Sequence, residues 1–410
     1  MIKINETRLW QRMMDMAKIG ATPKGGVNRV ALSDEDKIGR DLFIEWCQAA
    51  QCSITIDAIG NLFARREGKQ NSLPAILIGS HLDSQPTGGK YDGVYGVLAA
   101  LEVVETLNDN DILTDAPIEI VSWTNEEGAR FAPAMLGSGV FAEVFSLDYA
   151  YSREDDKEKK LGDELERIGY KGNAQPNLNK YKASFEVHIE QGPILEAEEK
   201  QVGIVTGVQG IRWYDLEILG KETHAGPSPM QYRKDPMKAA LPLLQKVYAI
   251  ADDFAPEARV TVGYANASPG VRNTVPGKLS ISLDLRHPDE ATLSKMDESL
   301  QAIVEGYKTE GITVGLNEIW YSPPVVFDEN CVAAVEQATK DLDISARKMV
   351  SGAGHDSVYV ARKMPTSMIF IPCEDGLSHN ELEHAEQADI YAGANVLLHA
   401  VFNIDNEIGH

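Results

Sequence analysis

The chain is poor in cysteine, with four residues in 410. Cys47, Cys52, Cys331 and Cys373 stand apart with no C-x-x-C spacing, which excludes a zinc knuckle and a disulfide framework and leaves reduced, partly buried thiols. Basic charge is also scarce: 39 Lys and Arg face 62 Asp and Glu, a formal net charge of −23. That balance argues against nucleic acid or an anionic membrane as the partner, although a locally positive site could still take an anionic substrate. Long hydrophobic runs are missing too. No stretch approaches the roughly 18 apolar residues of a membrane span, and Met1-Ile2-Lys3-Ile4-Asn5-Glu6 offers no apolar leader core. The expectation is a soluble, cytoplasmic protein. No internal repeat or low-complexity segment is evident.

What remains is ordinary globular composition, 43% hydrophobic and 25% charged, on a chain long enough for two domains. Helical apolar spacing covers residues 5–20 and 34–50, the second opening on Ser33 as N-cap with Asp34, Glu35 and Asp36 in the first turn. Strand-like runs at 53–57, 61–65, 75–79 and 118–123 then alternate with a helix from about 93 to 108. The charged run 151–172 reads as a helical, solvated excursion. From Val208 the order becomes strand 212–219, helix 236–252, strands 259–265 and 277–286, helix 290–309 and strand 313–321. That βαββαβ order predicts a small four-stranded antiparallel sheet with two helices on one face. Pro323-Pro324 ends it, and helix 329–341, strand 367–371 and helix 386–404 return to the α/β pattern. The fold class is therefore α/β: a mixed-sheet domain over 1–208 and 322–410 with a βαββαβ domain inserted at 209–321.

The chemistry gathers at strand ends. Ala75-Ile76-Leu77-Ile78 runs into Gly79-Ser80-His81-Leu82-Asp83-Ser84, and Gly88-Gly89-Lys90-Tyr91-Asp92-Gly93 follows. Ile118–Trp123 ends in Thr124-Asn125-Glu126-Glu127-Gly128, and Phe185-Glu186-Val187-His188-Ile189-Glu190-Gln191 carries a second histidine. Open α/β sheets place their sites at such ends. One H-x-D or E-E pair is commonplace and usually structural. Several together, with Gly-rich turns between them, predict a metal site, and a two-metal one. A carboxylate can bridge two cations, one of two adjacent glutamates can ligate while the other acts as general base, and Asp83 suits a supporting role behind His81.

These motifs, with His188-Ile189-Glu190-Gln191-Gly192-Pro193, His224-Ala225-Gly226, Asn273-Thr274-Val275-Pro276, Ser351-Gly352-Ala353-Gly354-His355-Asp356 and Gly376-Leu377-Ser378-His379, resemble the hydantoinase/carbamoylase amidohydrolases. That family holds N-carbamoyl-L-amino-acid hydrolases, β-ureidopropionases and allantoate amidohydrolases, within a wider clan of co-catalytic zinc aminoacylases and peptidases. The resemblance runs nearly end to end. It implies a dizinc-peptidase-like catalytic domain with a ferredoxin-like lid and dimerisation domain. Two divalent ions are implied, zinc or manganese, with cobalt or nickel also suited to the ligands. His81, Asp92 and His188 would surround one ion, and Asp92, as the bridge, with Glu127 and His379 the other. Glu126 would be the general base and His224 the oxyanion donor. Asn273 and Arg286 would hold a substrate carboxylate, with Gln191, Arg212 and Gly354 as further contacts, and the partner of a homodimer formed through the inserted domain can supply such groups.

The plainer alternatives are that Arg286 is a surface ion-pair residue and that His224 orders a turn. His355 is expected to be structural, as are His287, His384, His399 and His410. One departure stands out. Relatives place Pro and Glu soon after Ser-His, whereas Asn380-Glu381-Leu382-Glu383 follows here, so the acidic neighbour of His379 is Glu381 or Glu383. The implied activity is removal of the carbamoyl group from an N-carbamoyl-L-α-amino acid or N-carbamoyl-β-alanine. Allantoate hydrolysis is the alternative. An aminoacylase or peptidase of the clan, or a non-catalytic dimeric binding protein, is a further one. The ten residues between His81 and Asp92 are fewer than the peptidases usually have there.

Overall fold

The computed structural model describes residues 1–175 and 178–406, so His410 lies outside the described residues. The chain forms two compact units, Met1–Thr206 with Val326–His410, and Gly207–Val325.

The first unit is built on a nine-stranded sheet. Its strands are β1 (Ser53–Ile56), β2 (Leu62–Arg66), β3 (Ala75–His81), β4 (Ile118–Trp123), β5 (Tyr181–Ile189), β6 (Val202–Val208), β13 (Val325–Val326), β14 (Ala346–Ser351) and β15 (Thr366–Ile371). They lie in the order β1-β2-β4-β3-β5-β15-β6-β13, with β14 paired to β6. The centre, β4-β3-β5-β15, is parallel, and antiparallel pairs flank it. Every residue of β3, β4 and β15 is buried, as continuous apolar strands in a covered parallel sheet should be. The helix Val94–Asp109 is apolar almost all round and buries thirteen of its residues. From β3 the chain passes to β4 on one side and to β5 on the other, so the strand order reverses at β3. The crevice beyond such a reversal is where α/β sheets bind ligands.

The second unit holds β7 (Gly210–Leu219), β9 (Arg259–Ser268), β11 (Lys278–His287) and β12 (Thr313–Ser322) in the antiparallel order β12-β7-β11-β9, with β8 (Thr223–His224) and β10 (Thr274–Val275) forming a separate pair. Along β11 burial alternates strictly, so Leu279, Ile281, Leu283 and Leu285 face one way. They share a core with Leu243 and Val247 of the helix Pro236–Asp253 and with Leu293, Met296 and Leu300 of the helix Glu290–Glu305. The βαββαβ expectation matches this arrangement, with both helices against one face of the sheet.

Two local expectations need correction. In the run 151–172 only Leu161–Ile168 beyond Tyr151 is helical, and it is not merely solvated. Asp155 and Glu164 accept hydrogen bonds from Arg130 at 3.0 and 2.7 Å, so the excursion is tied to the segment after Glu126-Glu127. The strand expected over 185–191 is Tyr181–Ile189. Gln191 has left it, with φ +57.

Candidate active site

The C-terminal ends of the four parallel strands converge. His81 ends β3, Glu126 and Glu127 follow β4, His188 lies one residue from the end of β5, and His379 comes after β15. Asp92 sits in the turn leading into the helix Val94–Asp109. Gly93, at φ +66, closes that turn, and a Cβ there would lie 2.3 Å from the His81 ring. Only glycine combines that backbone with that approach.

Asp92 Oδ1 is 3.4 Å from His81 Nε2 and 3.1 Å from His188 Nε2. His379 Nε2 lies 3.6 Å from Asp92 Oδ2 and 3.3 Å from Glu127 Oε2. Ligand atoms of His81, Asp92 and His188 all fall within 4.8 Å of one another, as do those of Asp92, Glu127 and His379. The two groups share Asp92. A third group, Glu186, His188 and His355, reuses His188. Its Glu186 oxygens are already bonded by the Ser80 and Ser357 hydroxyls at 2.6 Å each.

The imidazole tautomers test whether cations fit. His81 Nδ1 is 2.9 Å from the carbonyl of Asp83, and His188 Nδ1 is 2.9 Å from that of Ile189. Each Nδ1 therefore carries the proton and each Nε2 is an acceptor beside the Asp92 carboxylate, the His188 Nε2 taking the Gly93 amide at 3.1 Å. Among the described residues, His81 Nε2 is buried without a hydrogen-bond partner. A lone pair facing a carboxylate oxygen, as that of His81 does, is repelled unless positive charge lies between them, and imidazoles fixed by a carbonyl on the other nitrogen are the usual metal ligands. The site holds groups suited to metal ions.

Asp83 supports the site differently from a carboxylate behind His81. Its backbone carbonyl takes the imidazole, while its two carboxylate oxygens accept the Glu126 and Glu127 amides at 3.2 and 3.3 Å. Asn125, at φ +56, turns the chain between β4 and these glutamates. Glu126 Oε2 is 3.4 Å from His81 Nε2, close to the same cluster of ligand atoms. Glu127 is held by Gln85, from its amide at 3.1 Å and its side chain at 2.7 Å. Gln85 belongs to the site although no motif in the sequence marks it.

Comparison with known proteins decides the family. Residues 77–403 match the model of peptidase family M20/M25/M40. An N-carbamoyl-L-amino-acid amidohydrolase of Rhizobium meliloti is 46% identical over 97% of this chain and 96% of its own length. A solved amidase of the hydantoinase/carbamoylase family from Burkholderia multivorans is 51% identical, with TM-score 0.93 and 98% of each chain covered. The chain belongs to the hydantoinase/carbamoylase amidohydrolases. An allantoate amidohydrolase of Bacillus subtilis is also similar, 32% identical over 95% of each chain. This chain is thus a hydrolase of the M20/M25/M40 fold.

The electrostatics of the amidohydrolase site follow from crowding carboxylates where water is scarce. Burial, opposed by His81 but reinforced by Asp356, Glu127 and Asp92, holds Glu126 well above the usual carboxylate range. Burial and then Asp92 do the same to Glu127. Burial works against charge on His81 as well, yet Glu126, Asp92 and Asp83 together outweigh it and raise that imidazole. Asp92 goes the other way, because His188 and His81 overcome its burial. The negative charge gathered here is what a divalent cation would neutralise.

The remaining expected residues are distributed as follows. Gln191 donates to Asp92 Oδ2 at 2.7 Å. Gly354 lies against the Met135 side chain, whose own amide donates to the Glu126 carbonyl at 2.7 Å. His355 stacks edge-on against His188, with centroids 4.6 Å apart, and Asp356 accepts the Ser138 hydroxyl. His384 lies beside Tyr91, His287 Nδ1 accepts the Asp289 amide at 2.9 Å, and His399 Nε2 bonds to the backbone carbonyl of Ile2.

In the second unit His224 and Asn273 are brought together, since the Ala225 amide donates to the Asn273 carbonyl at 2.8 Å and Thr274 pairs with His224. The Gly226 amide donates to His224 Nδ1 at 3.1 Å, which puts the proton on Nε2 and makes it a donor. Arg286 lies on the sheet face opposite the helices and pairs with Asp284, Nε to Oδ1 at 2.9 Å and an Nη to Oδ2 at 2.8 Å. Arg212 does not join it. Its cross-strand partners are Leu285 and Tyr321, so it lies on the helix-covered face, bonded to Glu318 at 2.6 Å. Strand parity thus puts Arg212 and Arg286 on opposite faces of the sheet.

A buried pair beneath the site gives a pH prediction. Asp57 accepts the Asn61 amide and side chain at 2.8 Å each, and Asn61 in turn accepts the Thr124 amide at the end of β4. Burial still pushes the Asp57 carboxyl up to about 7. The folded value thus exceeds the unfolded one, so the unfolded state releases its proton first as pH rises. Stability is highest below about pH 4 with respect to this group and is lost up to about pH 7. The gap from 3.8 to about 7 corresponds to at most about 4 kcal/mol. Chelator-treated protein followed by scanning fluorimetry should melt lower at each step from pH 5 to 7. A flat or rising trend would contradict a protonated Asp57.

Proposed function

We propose that the protein removes the carbamoyl group from N-carbamoyl amino acids, using one water to give the free amino acid, ammonia and carbon dioxide. The observation that carries the reading is one carboxylate, Asp92, 3.4 and 3.1 Å from the Nε2 atoms of His81 and His188, with Glu126 3.4 Å from the same His81 nitrogen. The Rhizobium meliloti relative named for this reaction supports the substrate class. Two divalent cations, zinc or manganese, with cobalt or nickel also suited, would be held by His81, Asp92 and His188 and by Asp92, Glu127 and His379. Bound there, they would polarise the ureido carbonyl and acidify the attacking water.

The chain's own residues do the rest. Glu126 takes the proton from the water and delivers it to the leaving nitrogen, a role suited to a carboxylate whose pKa burial has lifted. His224 donates Nε2–H to the oxyanion as the carbonyl carbon becomes tetrahedral. Asn273 and Arg286 hold the substrate carboxylate, and Gln191 and Gly354 have the role of further substrate contacts. A guanidinium presents a planar fork to a carboxylate, and that of Arg286 is engaged by Asp284 in this structure. We further read the protein as a cytoplasmic homodimer formed through the inserted unit, for which light scattering should give about twice 44.9 kDa.

The test is product release by zinc- or manganese-loaded protein, with and without chelator. The substrates are N-carbamoyl-β-alanine, several N-carbamoyl-L-amino acids, allantoate and an N-acetyl amino acid. Ammonia from the carbamoyl compounds that chelator abolishes is the expected result. Ammonia from allantoate alone would move the substrate to the alternative represented by the Bacillus subtilis relative. Amino acid freed only from the N-acetyl compound would make the protein an aminoacylase.

A further inference from the structure

The turn that carries His379 is fastened to the turn that carries Asp92, and Glu383 is the fastener. This side chain is 4% exposed. Its Oε1 accepts the amides of Tyr91 and Asp92 at 3.0 and 3.1 Å, and its Oε2 lies 3.1 Å from Ser378 Oγ. Ser378 Oγ is in turn 2.8 Å from Asp92 Oδ2, the oxygen that faces His379. One carboxylate thus grips the backbone of Asp92 and sits against the hydroxyl that reaches the Asp92 side chain, the single Ser378 proton serving the nearer oxygen, Asp92 Oδ2. Glu381, the other acidic candidate, points away and pairs with Lys24 at 3.5 Å.

The seat of this turn leaves no room for adjustment. A Cβ on Gly89 would lie 2.1 Å from Glu383 Cδ, and one on Gly26 would lie 2.7 Å from Glu381 Cβ. His379 itself has φ +54 and a side chain 51% exposed. Its direction is therefore governed by the anchored residues on either side of it.

We infer that Ser378 and Glu383 are positioning residues that aim Asp92 Oδ2 and so set the affinity of the Asp92, Glu127 and His379 group for its metal ion. The inference rests on the two-cation reading above. Ser378 Oγ at 2.8 Å and Gln191 Nε2 at 2.7 Å both bond Asp92 Oδ2, and together they fix the plane in which that carboxylate is held. Groups that orient a ligand in this way commonly alter metal affinity by about 10–100-fold.

The experiment measures bound manganese per subunit, and its affinity by competition with a chromogenic chelator, for the full-length wild type and three variants. Wild type should bind two ions. Glu383→Ala should keep one and hold the second about 10–100-fold more weakly. Ser378→Ala, at a half-buried position where little packing is lost, should weaken the second ion about 10-fold. Glu383→Gln should restore it, because the amide oxygen can accept the Tyr91 and Asp92 amides while its NH2 donates to Ser378 Oγ. Melting curves check that each variant is folded, and Ser378→Ala decides alone if Glu383→Ala is not. Wild-type affinity for the second ion in Ser378→Ala would overturn the inference, as would a Glu383→Gln no better than Glu383→Ala. A wild type that binds fewer than two ions would instead overturn the two-cation reading.

Discussion

Glu126→Gln should bind its metal ions as wild type does and turn over carbamoyl substrate about 10³-fold more slowly, within the range general bases contribute. The amide is isosteric with the carboxylate, so the Asp83 bonds to the Glu126 and Glu127 amides stay in place. What disappears is the basic oxygen 3.4 Å from His81 Nε2. The measurement is kcat for ammonia release beside metal content of the same preparation. A near-normal kcat with full metal would remove Glu126 from the reaction. Loss of metal together with rate would make Glu126 a ligand rather than a base.

Asp92→Ala should lose both metal and turnover. Asp92 is the one residue common to the two candidate groups, Oδ1 facing His81 and His188 and Oδ2 facing His379. Removing an outer neighbour of a ligand costs about 10–100-fold in affinity, so removing the shared ligand should cost more than about 100-fold at each group. Metal analysis after gel filtration should find the variant empty and product release at the buffer background. Retention of one tightly bound ion would show that the two groups do not depend on a common carboxylate. The variant should remain folded, because Asp92 is not part of the packed sheet, and its melting temperature checks this.

Much of this is legible in the sequence because strand ends mark themselves there. Ala75–Ile78 and Ile118–Trp123 are apolar runs too short for buried helices, and each stops at residues that no core would choose, His81 in one case and Glu126-Glu127 in the other. The βαββαβ unit is equally legible, since β11 alternates residue by residue between core and solvent. β6 and β14 are not. Val202–Val208 carries two glycines among its apolar residues, and Ala346–Ser351 is mostly half-buried or exposed, so neither has a clear period.

The site is legible in its ligands and less so in what holds them. The H-x-D spacing suggests a supporting role for Asp83 behind His81, and the structure divides it: the Asp83 carbonyl takes the imidazole and its carboxylate gathers the two glutamate amides. Nothing in H-x-D distinguishes one oxygen from another. Arg212 can be placed on a strand from sequence but not on a face, because parity against β11 depends on register, and register appears only when strands are paired. Spacing cannot choose between Glu381 and Glu383, since the choice depends on which of them meets the glycine surface at Gly89.

The position of β15 has a consequence for how the molecule is made. It lies between β5 and β6, although both of those strands, and the whole inserted unit, precede it in the chain. A nascent chain that has not yet reached Thr366 cannot join the two parts of the sheet, and it presents β5 and β6 as unpaired edges, the kind of surface that recruits other chains. Pairing across so many residues raises contact order and slows folding. His379 follows that strand by only a few residues. The last residue of the two candidate metal groups is thus delivered by the same late, long-range event that closes the sheet, and a chain that stops short of it lacks one of the groups.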